Sequence, residues 1–155
     1  TRKESSAASD VYKRQVSRFG IEVMRVTVLL VMGGGALGVF LRFLLDRGFL
    51  AIRQMRSGAG HHTPTYSVGI LIANLVGSFL LGLFAAAFSA GVMSSQAYSL
   101  WGVGFCGALT TLSTLNVELV TMLRHHHTWQ AVAYLLGTVL GGLALGAIAG
   151  LFTFN

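Results

Sequence analysis

Charged side chains are scarce in this sequence. Asp, Glu, Lys and Arg make up 10% of its 155 residues, whereas a soluble domain carries about 25%. So few charges cannot cover a water-facing surface, and 54% of the residues are hydrophobic. Most of the surface is therefore expected to face lipid or another protein, which excludes an ordinary soluble domain.

Cysteine and proline are nearly absent as well, with one residue of each. The single Cys106 cannot form an internal disulfide, and no histidine or other base lies beside it in the sequence to activate a thiol. The sequence also contains no GxGxxG, Walker or HExxH motif. We therefore predict that the protein is not an enzyme.

Acidic residues are the rarer charges, and the net charge is +6. In a soluble protein this excess would suggest nucleic acid as a partner. Here most basic residues precede or flank apolar runs, where cations anchor at lipid headgroups, so we predict no nucleic-acid partner. The consecutive histidines 125–127 cannot share one helix face, and His61 and His62 have no Cys or carboxylate nearby, so neither group predicts a metal site.

Long apolar runs are what the sequence does contain. Each has roughly the 20 residues that a helix needs to cross a bilayer, and backbone groups in lipid must bond within their own segment. The chain is therefore predicted to be an all-α membrane protein, and no loop is large enough to house a site of its own. The four predicted transmembrane helices cover residues 26–45, 68–88, 100–123 and 131–152.

The first twenty residues differ from the rest. Residues 1–20 are polar, mixed in charge and without apolar periodicity, which predicts a disordered or non-native tail before a membrane domain of residues 21–155. The balance of basic residues across the membrane reverses when this tail is discounted, so the positive-inside rule gives no firm orientation. A chain with so weak a bias can insert both ways, which would permit an antiparallel dimer.

The third run is polar in its middle. Four hydroxyl side chains fall within residues 110–114, after Gly104 and Gly107 and before Asn116. Bonding back to the helix's own carbonyls accounts for one or two hydroxyls, but the cluster favours an interrupted helix. Irregular backbone at membrane depth is tolerated only where it is buried or lines an aqueous path. Its carbonyls would suit a cation, and its hydroxyls could donate to an anion.

Three further polar residues lie within the runs. Asn74 offers two donors and one acceptor, and it serves either as a hydrogen-bonding contact between helices or as part of an ion path. Arg42 is expected to reach the interface, as charges near helix ends do. Glu118 is a short side chain about five residues inside its run.

Glycines spaced by four predict close helix packing. They are Gly34 and Gly38 in the first run, and Gly137, Gly141, Gly142, Gly146 and Gly150 in the fourth.

These segments resemble the Fluc (CrcB) fluoride-channel family from about residue 30 to 151, through all four runs in order. Three motifs in one four-span chain make the resemblance specific. They are GGGALG at 33–38 followed by Arg42, NLVGSF at 74–79, and GFCGALTT at 104–111, with Ser113, Thr114 and Glu118 at matching spacing.

The resemblance implies an antiparallel dual-topology dimer that conducts fluoride out of the cell through the plasma membrane. It implies a structural Na⁺ at the dimer centre, held by backbone carbonyls of Gly107 and Thr110. It also implies a set of pore residues. The anion-contacting positions are Asn74, Ser113, Thr114, Tyr134 and Thr138, with Arg42 and Glu118 at the pore entrance.

One departure from the family pattern concerns two positions in the third run. Leu112 and Leu115 stand where the family usually has phenylalanines, and a leucine lacks the positive ring edge that faces an anion. Two alternatives to a self-sufficient fluoride channel therefore stay open. The chain could complete the pore of a heterodimer with a paralogue, or it could be a proton-coupled small multidrug-type exporter, which would need an acidic residue deep in the first helix.

Overall fold

A computed structural model of the chain describes residues 2–56 and 68–152, with side chains over 20–49 and 68–151. All regular secondary structure in these ranges is helical. Four helical segments are long and apolar enough to cross a membrane, which confirms the predicted four-span, all-α class. They cover Gly20–Phe49, Val68–Ser89, Ser95–Arg124 and Thr128–Leu151.

The elements follow one another in a simple order. The first, third and fourth spans begin three to six residues before their predicted apolar runs, and the second exceeds its run by one residue, Ser89. The third span is divided into four short pieces. The elements are α1 (Arg2–Arg56), α2 (Val68–Ser89), α3 (Ser95–Tyr98), a π-helical segment (Ser99–Cys106), α4 (Gly107–Leu109), α5 (Leu112–Arg124) and α6 (Thr128–Phe152).

Helix α1 includes residues 2–20, where the sequence predicts a disordered or non-native tail. The backbone of this segment is helical and continuous with the first span. No proline or glycine occurs between residues 2 and 19 to end the helix, which accounts for the continuation. Whether the segment belongs to the native protein stays a prediction.

The third span is interrupted at two consecutive threonines. Thr110 (φ −75°, ψ 146°) and Thr111 (φ −146°, ψ 127°) are both extended. Thr111 is the N-cap of α5, and its hydroxyl accepts a hydrogen bond from the Thr114 amide at 3.4 Å. The predicted helix interruption is therefore present, and it falls within the hydroxyl cluster. We call these two residues the break.

The half of the third span before the break packs against α1 by close backbone contact. A Cβ at Gly34 would collide with the Leu100 carbonyl, and one at Gly38 with the Phe105 carbonyl. On the facing side, a Cβ at Gly104 would lie 2.6 Å from the Val31 carbonyl oxygen. The predicted packing role of Gly34 and Gly38 is confirmed. The π-helical turn over Ser99–Cys106 was not predicted from the sequence.

Helices α2 and α6 also meet at small residues. A Cβ at Gly82 would collide with the Gly146 backbone, and one at Gly142 would lie 2.9 Å from Ser78 Oγ. A Cβ at Gly141 would lie 3.0 Å from Leu75 Cδ2. At Gly137 and Gly150 an added Cβ would meet nothing within 4 Å, so no close approach of the described residues requires glycine at these two positions.

The half after the break, α5, packs against α6 through side chains. Leu115 and Met122 of α5 are buried with Ala131 and Tyr134 of α6 in one cluster. A tight turn joins the two helices, and His126 adopts a positive φ of 59° there. The two halves of the third span therefore pack against different neighbours by different means.

Candidate functional site

An open groove of about 760 Å³ runs along α2 and α6 and reaches the break. Most of its wall is apolar or glycine, as expected for a surface within a membrane. Its polar side chains all lie where α2, α6 and the break come together. They are Asn74, Ser78, Thr110, Thr111 and Thr138.

Asn74 is bound to the backbone of the break. Its Oδ1 accepts a hydrogen bond from the Thr111 amide at 2.8 Å, and its Nδ2 donates to the Thr111 carbonyl at 3.3 Å. The backbone partners fix the orientation of the side-chain amide, because an N–H can only donate and a carbonyl can only accept. Asn74 is 6% exposed and thus spans from α2 to the break.

Arg42 reaches the break from the other side. Its Nη1 donates to the Thr110 carbonyl at 3.5 Å, a long hydrogen bond. The side chain is half-buried, so it bonds to the break rather than only extending to the membrane interface. The Thr110 hydroxyl donates to the Cys106 carbonyl at 3.1 Å, as a helical threonine does.

Three hydroxyls form a connected group at the start of α5. Thr111 Oγ1 lies 3.1 Å from Ser113 Oγ and 3.3 Å from Thr114 Oγ1. Ser113 and Thr114 belong to this group but are not part of the groove wall. The structure therefore brings the predicted hydroxyl residues together with Asn74 through Thr111.

The predicted wall residues of α6 are placed differently from one another. Thr138 lines the groove, and its hydroxyl donates to the Tyr134 carbonyl at 2.8 Å. Tyr134 is 7% exposed and lies in the cluster between α5 and α6. Its hydroxyl donates to Glu118 Oε2 at 2.5 Å. Tyr134 and Glu118 are thus a pair within the chain and do not line the groove.

The two leucines at the aromatic positions also differ. Leu112 is 66% exposed, whereas Leu115 is 1% exposed and packs with Tyr134. Both contribute to the groove wall. An aromatic ring at 112 would have open space, but one at 115 would have to enter a filled core.

Of the residues proposed for sodium, Gly107 is the first residue of α4 and Thr110 follows its last residue. Gly107 is exposed, and an added Cβ would meet nothing within 4 Å. In a continuous helix the Thr111 amide would donate a hydrogen bond to the Gly107 carbonyl, but here it donates to Asn74 Oδ1 instead. In the described part of the chain, no three His, Cys, Asp or Glu side chains gather into a metal site. Backbone oxygens are ligands of the kind that hard cations take, and the sodium site at 107 and 110 stays a prediction. His61 and His62 lie outside the described residues.

Two features of the site were not predicted from the sequence. Ser78 lies one turn after Asn74 on the same face of α2 and lines the groove. Its spacing of four from Asn74 was a usable signal. The pairing of Asn74 with Thr111 joins residues 37 apart in sequence, and no local pattern carries that information.

Comparison with known proteins agrees with this architecture. The chain is 41% identical over 118 residues to the fluoride-specific ion channel FluC of Gloeobacter violaceus, covering 76% of this chain and 88% of that protein. It is 38% identical over 119 residues to FluC 2 of Rhodococcus jostii, covering 77% and 91%. It is 37% identical over 131 residues to FluC 1 of Yersinia pseudotuberculosis, covering 83% and 94%. The family described as CrcB-like protein, Camphor Resistance (CrcB), matches residues 29–151. The chain is therefore a multi-pass membrane protein that belongs to the CrcB family.

Proposed function

We propose that this chain is a fluoride-selective channel that lets cytoplasmic fluoride leave the cell passively. The observation that carries the proposal is the break, where the polar side chains of an otherwise apolar groove meet. The relatives named above, which match most of the chain, are fluoride-specific ion channels. No enzymatic activity is proposed.

Hydrogen-bond donors at the break support anion transport. An anion that leaves water needs donors to replace its hydration shell. One N–H of Asn74 bonds to Thr111, and the second N–H of the same amide is left for an ion. The three clustered hydroxyls share two contacts, which use two of their three protons and leave one to donate. Asn74, Ser113 and Thr114 are therefore the proposed anion contacts.

The residues of α6 have a more limited part in this proposal. The Thr138 and Tyr134 hydroxyl protons are given to the Tyr134 carbonyl and to Glu118. These residues therefore offer oxygen lone pairs and ring edges rather than free O–H donors. We assign Thr138 to the groove wall and the Tyr134–Glu118 pair to its support, with Arg42 and Glu118 near the pore entrances.

We further propose that the channel is an antiparallel dimer with a structural Na⁺ at its centre. Two carbonyl oxygens of one chain, from Gly107 and Thr110, are too few for a desolvated cation. A two-fold axis would double the set to four. The long Arg42 bond to the Thr110 carbonyl competes with a cation for this oxygen, so sodium binding is expected to loosen it.

A heterodimeric channel is the second candidate, and the leucines favour it. In a homodimer, every copy of the exposed position 112 is a leucine, and no pore receives an aromatic edge from positions 112 or 115. A paralogue with phenylalanines there would supply them. The proton-coupled exporter is not proposed, because residues 26–45 contain no acidic residue.

Growth in fluoride tests the function. The chain is expressed in a bacterial host that lacks its own fluoride exporter, and growth is measured in fluoride medium. The chain alone should restore growth. The Asn74→Asp variant should insert in equal amount but fail, because a carboxylate replaces donors by acceptors. If growth is restored only when a paralogue with phenylalanines at the positions of Leu112 and Leu115 is co-expressed, the heterodimer and not the homodimer is the channel. If Asn74→Asp restores growth as well as the wild-type chain does, Asn74 is not part of the ion path.

Thiol labelling tests the topology. Ser95 is exposed at the start of α3, and its replacement leaves the Ser94 cap of Ala97 in place. The only native thiol, Cys106, is 0% exposed and gives a low background. In whole cells an impermeant thiol reagent should label one fraction of the Ser95→Cys copies from outside, and the remaining copies should react only after the membrane is opened. Labelling from one side only would contradict dual topology.

A further inference from the structure

The break leaves backbone groups that the helix would otherwise satisfy. In an uninterrupted third span the Thr111 amide would donate to the Gly107 carbonyl, four residues earlier. Because Thr110 and Thr111 are extended, that bond is replaced. An amide or carbonyl left unpaired at membrane depth would cost several kcal/mol, so a break of this kind requires partners from elsewhere in the fold.

Asn74 supplies the partner that the Thr111 amide lacks, and it adds a second donor at the Thr111 carbonyl, which as the N-cap carbonyl of α5 also accepts the first bond of that helix. It accepts from the amide at 2.8 Å and donates to the carbonyl at 3.3 Å. The two bonds resemble the pair that opposite residues of two adjacent β-strands exchange. The side chain is buried and is carried by α2, which also packs closely against α6 through Gly82. The break is thereby fixed to a rigid pair of helices rather than to its own span.

We propose that Asn74 is a positioning residue that holds the break open and so frees the Gly107 carbonyl for a cation. One side-chain amide performs two tasks. Its acceptor replaces the helical partner of the Thr111 amide while one N–H bonds to the Thr111 carbonyl, and its second N–H is left for the transported anion. The inference rests on the proposed function for its bearing on transport, but its structural content is tested without any flux measurement.

The neighbouring residue provides an internal reference. The Thr110 amide donates to the Cys106 carbonyl at 3.1 Å, which is a bond within the first half of the span and does not involve α2. Loss of Asn74 should therefore expose the Thr111 amide and leave the Thr110 amide protected. A general loosening of the fold would expose both amides together.

The two oxygens of aspartate separate the two tasks of Asn74. An Asn74→Asp carboxylate can still accept from the Thr111 amide, but it cannot donate to the Thr111 carbonyl or to an anion. Thr111 should then stay protected although fluoride flux is lost. Asn74→Ala and the similarly sized Asn74→Leu remove both bonds. Ser78→Ala, one turn further along the same face, is the matched control, because Ser78 is not bonded to the break.

Amide hydrogen exchange of the purified full chain, labelled with ¹⁵N-threonine, measures the effect. Thr111 should exchange at least about tenfold faster in Asn74→Ala and Asn74→Leu, a ratio that corresponds to about 1.4 kcal/mol. It should stay within about threefold of wild type in Asn74→Asp and Ser78→Ala. Thr110 should not change in any variant.

The proposal is overturned if Thr111 protection survives the loss of Asn74, or if Thr110 and Thr111 become exposed together. If the apolar variants do not fold, wild type is compared with Asn74→Asp. Thr111 exchange within about threefold of wild type is expected there, and exchange at least about tenfold faster would contradict the role of the side-chain acceptor. If the wild-type chain shows the predicted exchange pattern but conducts no fluoride, the proposed function is wrong and the positioning role of Asn74 still holds.

Discussion

The two halves of the third span are held in opposite ways. The half before the break contacts α1 backbone to backbone, through Gly34, Gly38 and Gly104. The half after it, α5, rests on α6 through Leu115, Met122 and the Tyr134–Glu118 hydrogen bond. Glycine contacts leave no room for adjustment, whereas side chains can repack. We therefore expect mutations before the break to act on folding, and those after it to act gradually on stability and transport.

The break is held from outside the third span as well as from within it. The Thr110 amide bonds to the Cys106 carbonyl of the first half, whereas Asn74 of α2 bonds to the backbone of Thr111 and Arg42 of α1 to the carbonyl of Thr110. A flexible hinge would leave such groups to solvent. This arrangement explains how irregular backbone persists within a membrane segment.

The glycine contacts give the largest expected effect. Gly34→Ala should prevent folding of the protein, because its Cβ would collide with the Leu100 backbone and a backbone atom cannot move aside as a side chain does. Gly33→Ala is the matched control, since an added Cβ there meets nothing within 4 Å. Size-exclusion chromatography after detergent extraction measures the yield of each. A normal yield of Gly34→Ala would show that α1 and the π-helical segment are not in backbone contact.

The leucines give an intermediate effect, and they differ from one another. Leu115→Phe should destabilise the protein by about 1–3 kcal/mol, since it overfills a packed core. Leu112→Phe should leave stability unchanged, because the side chain is 66% exposed, and should preserve or raise fluoride flux. Thermal unfolding in detergent compares the two variants.

A similar loss of thermal stability in Leu112→Phe and Leu115→Phe would contradict the difference in burial between the two leucines. Unchanged flux and selectivity in a stable Leu112→Phe dimer would show that position 112 does not contact the ion. The single variants are more informative than the double variant, because a stability loss at 115 would otherwise hide a gain at 112.

The Tyr134–Glu118 hydrogen bond gives the smallest effect. Tyr134→Phe should lower stability by about 0.6 kcal/mol, the average for side-chain hydrogen bonds between membrane helices, and by no more than about 1.7 kcal/mol. A double-mutant cycle with Glu118→Gln isolates the pair. A coupling energy near zero would show that packing of the ring, and not its hydroxyl, joins α5 to α6.

The sequence predicted the four spans and the broken third helix because both depend on local composition. Twenty-residue apolar runs and the hydroxyls of 110–114 are visible without any knowledge of contacts. The sequence also indicated Gly34 and Gly38, since a spacing of four places them on one face. The burial of Tyr134 away from the groove was not predictable, because Tyr134 and Thr138 share a helix face and only the position of α5 distinguishes them.

The role of Asn74 was left open between helix contact and ion path, and the structure shows why composition could not decide. Its amide bonds to the break, which is a contact between helices, and the same amide carries a second N–H, so this contact does not exclude the proposed place in the ion path. The exposure of Leu112 and the burial of Leu115 likewise depend on the helix phase after the break, which begins anew at Leu112.

The central claim is that the polar break of this chain, with leucines at the aromatic positions, is sufficient to conduct fluoride. Fluoride efflux from liposomes that contain only the purified chain tests it most directly, with Asn74→Asp in parallel. The wild-type chain should release fluoride rapidly while chloride is retained, and Asn74→Asp should release neither. A well-folded dimer that releases no fluoride, or that releases chloride equally fast, would contradict it.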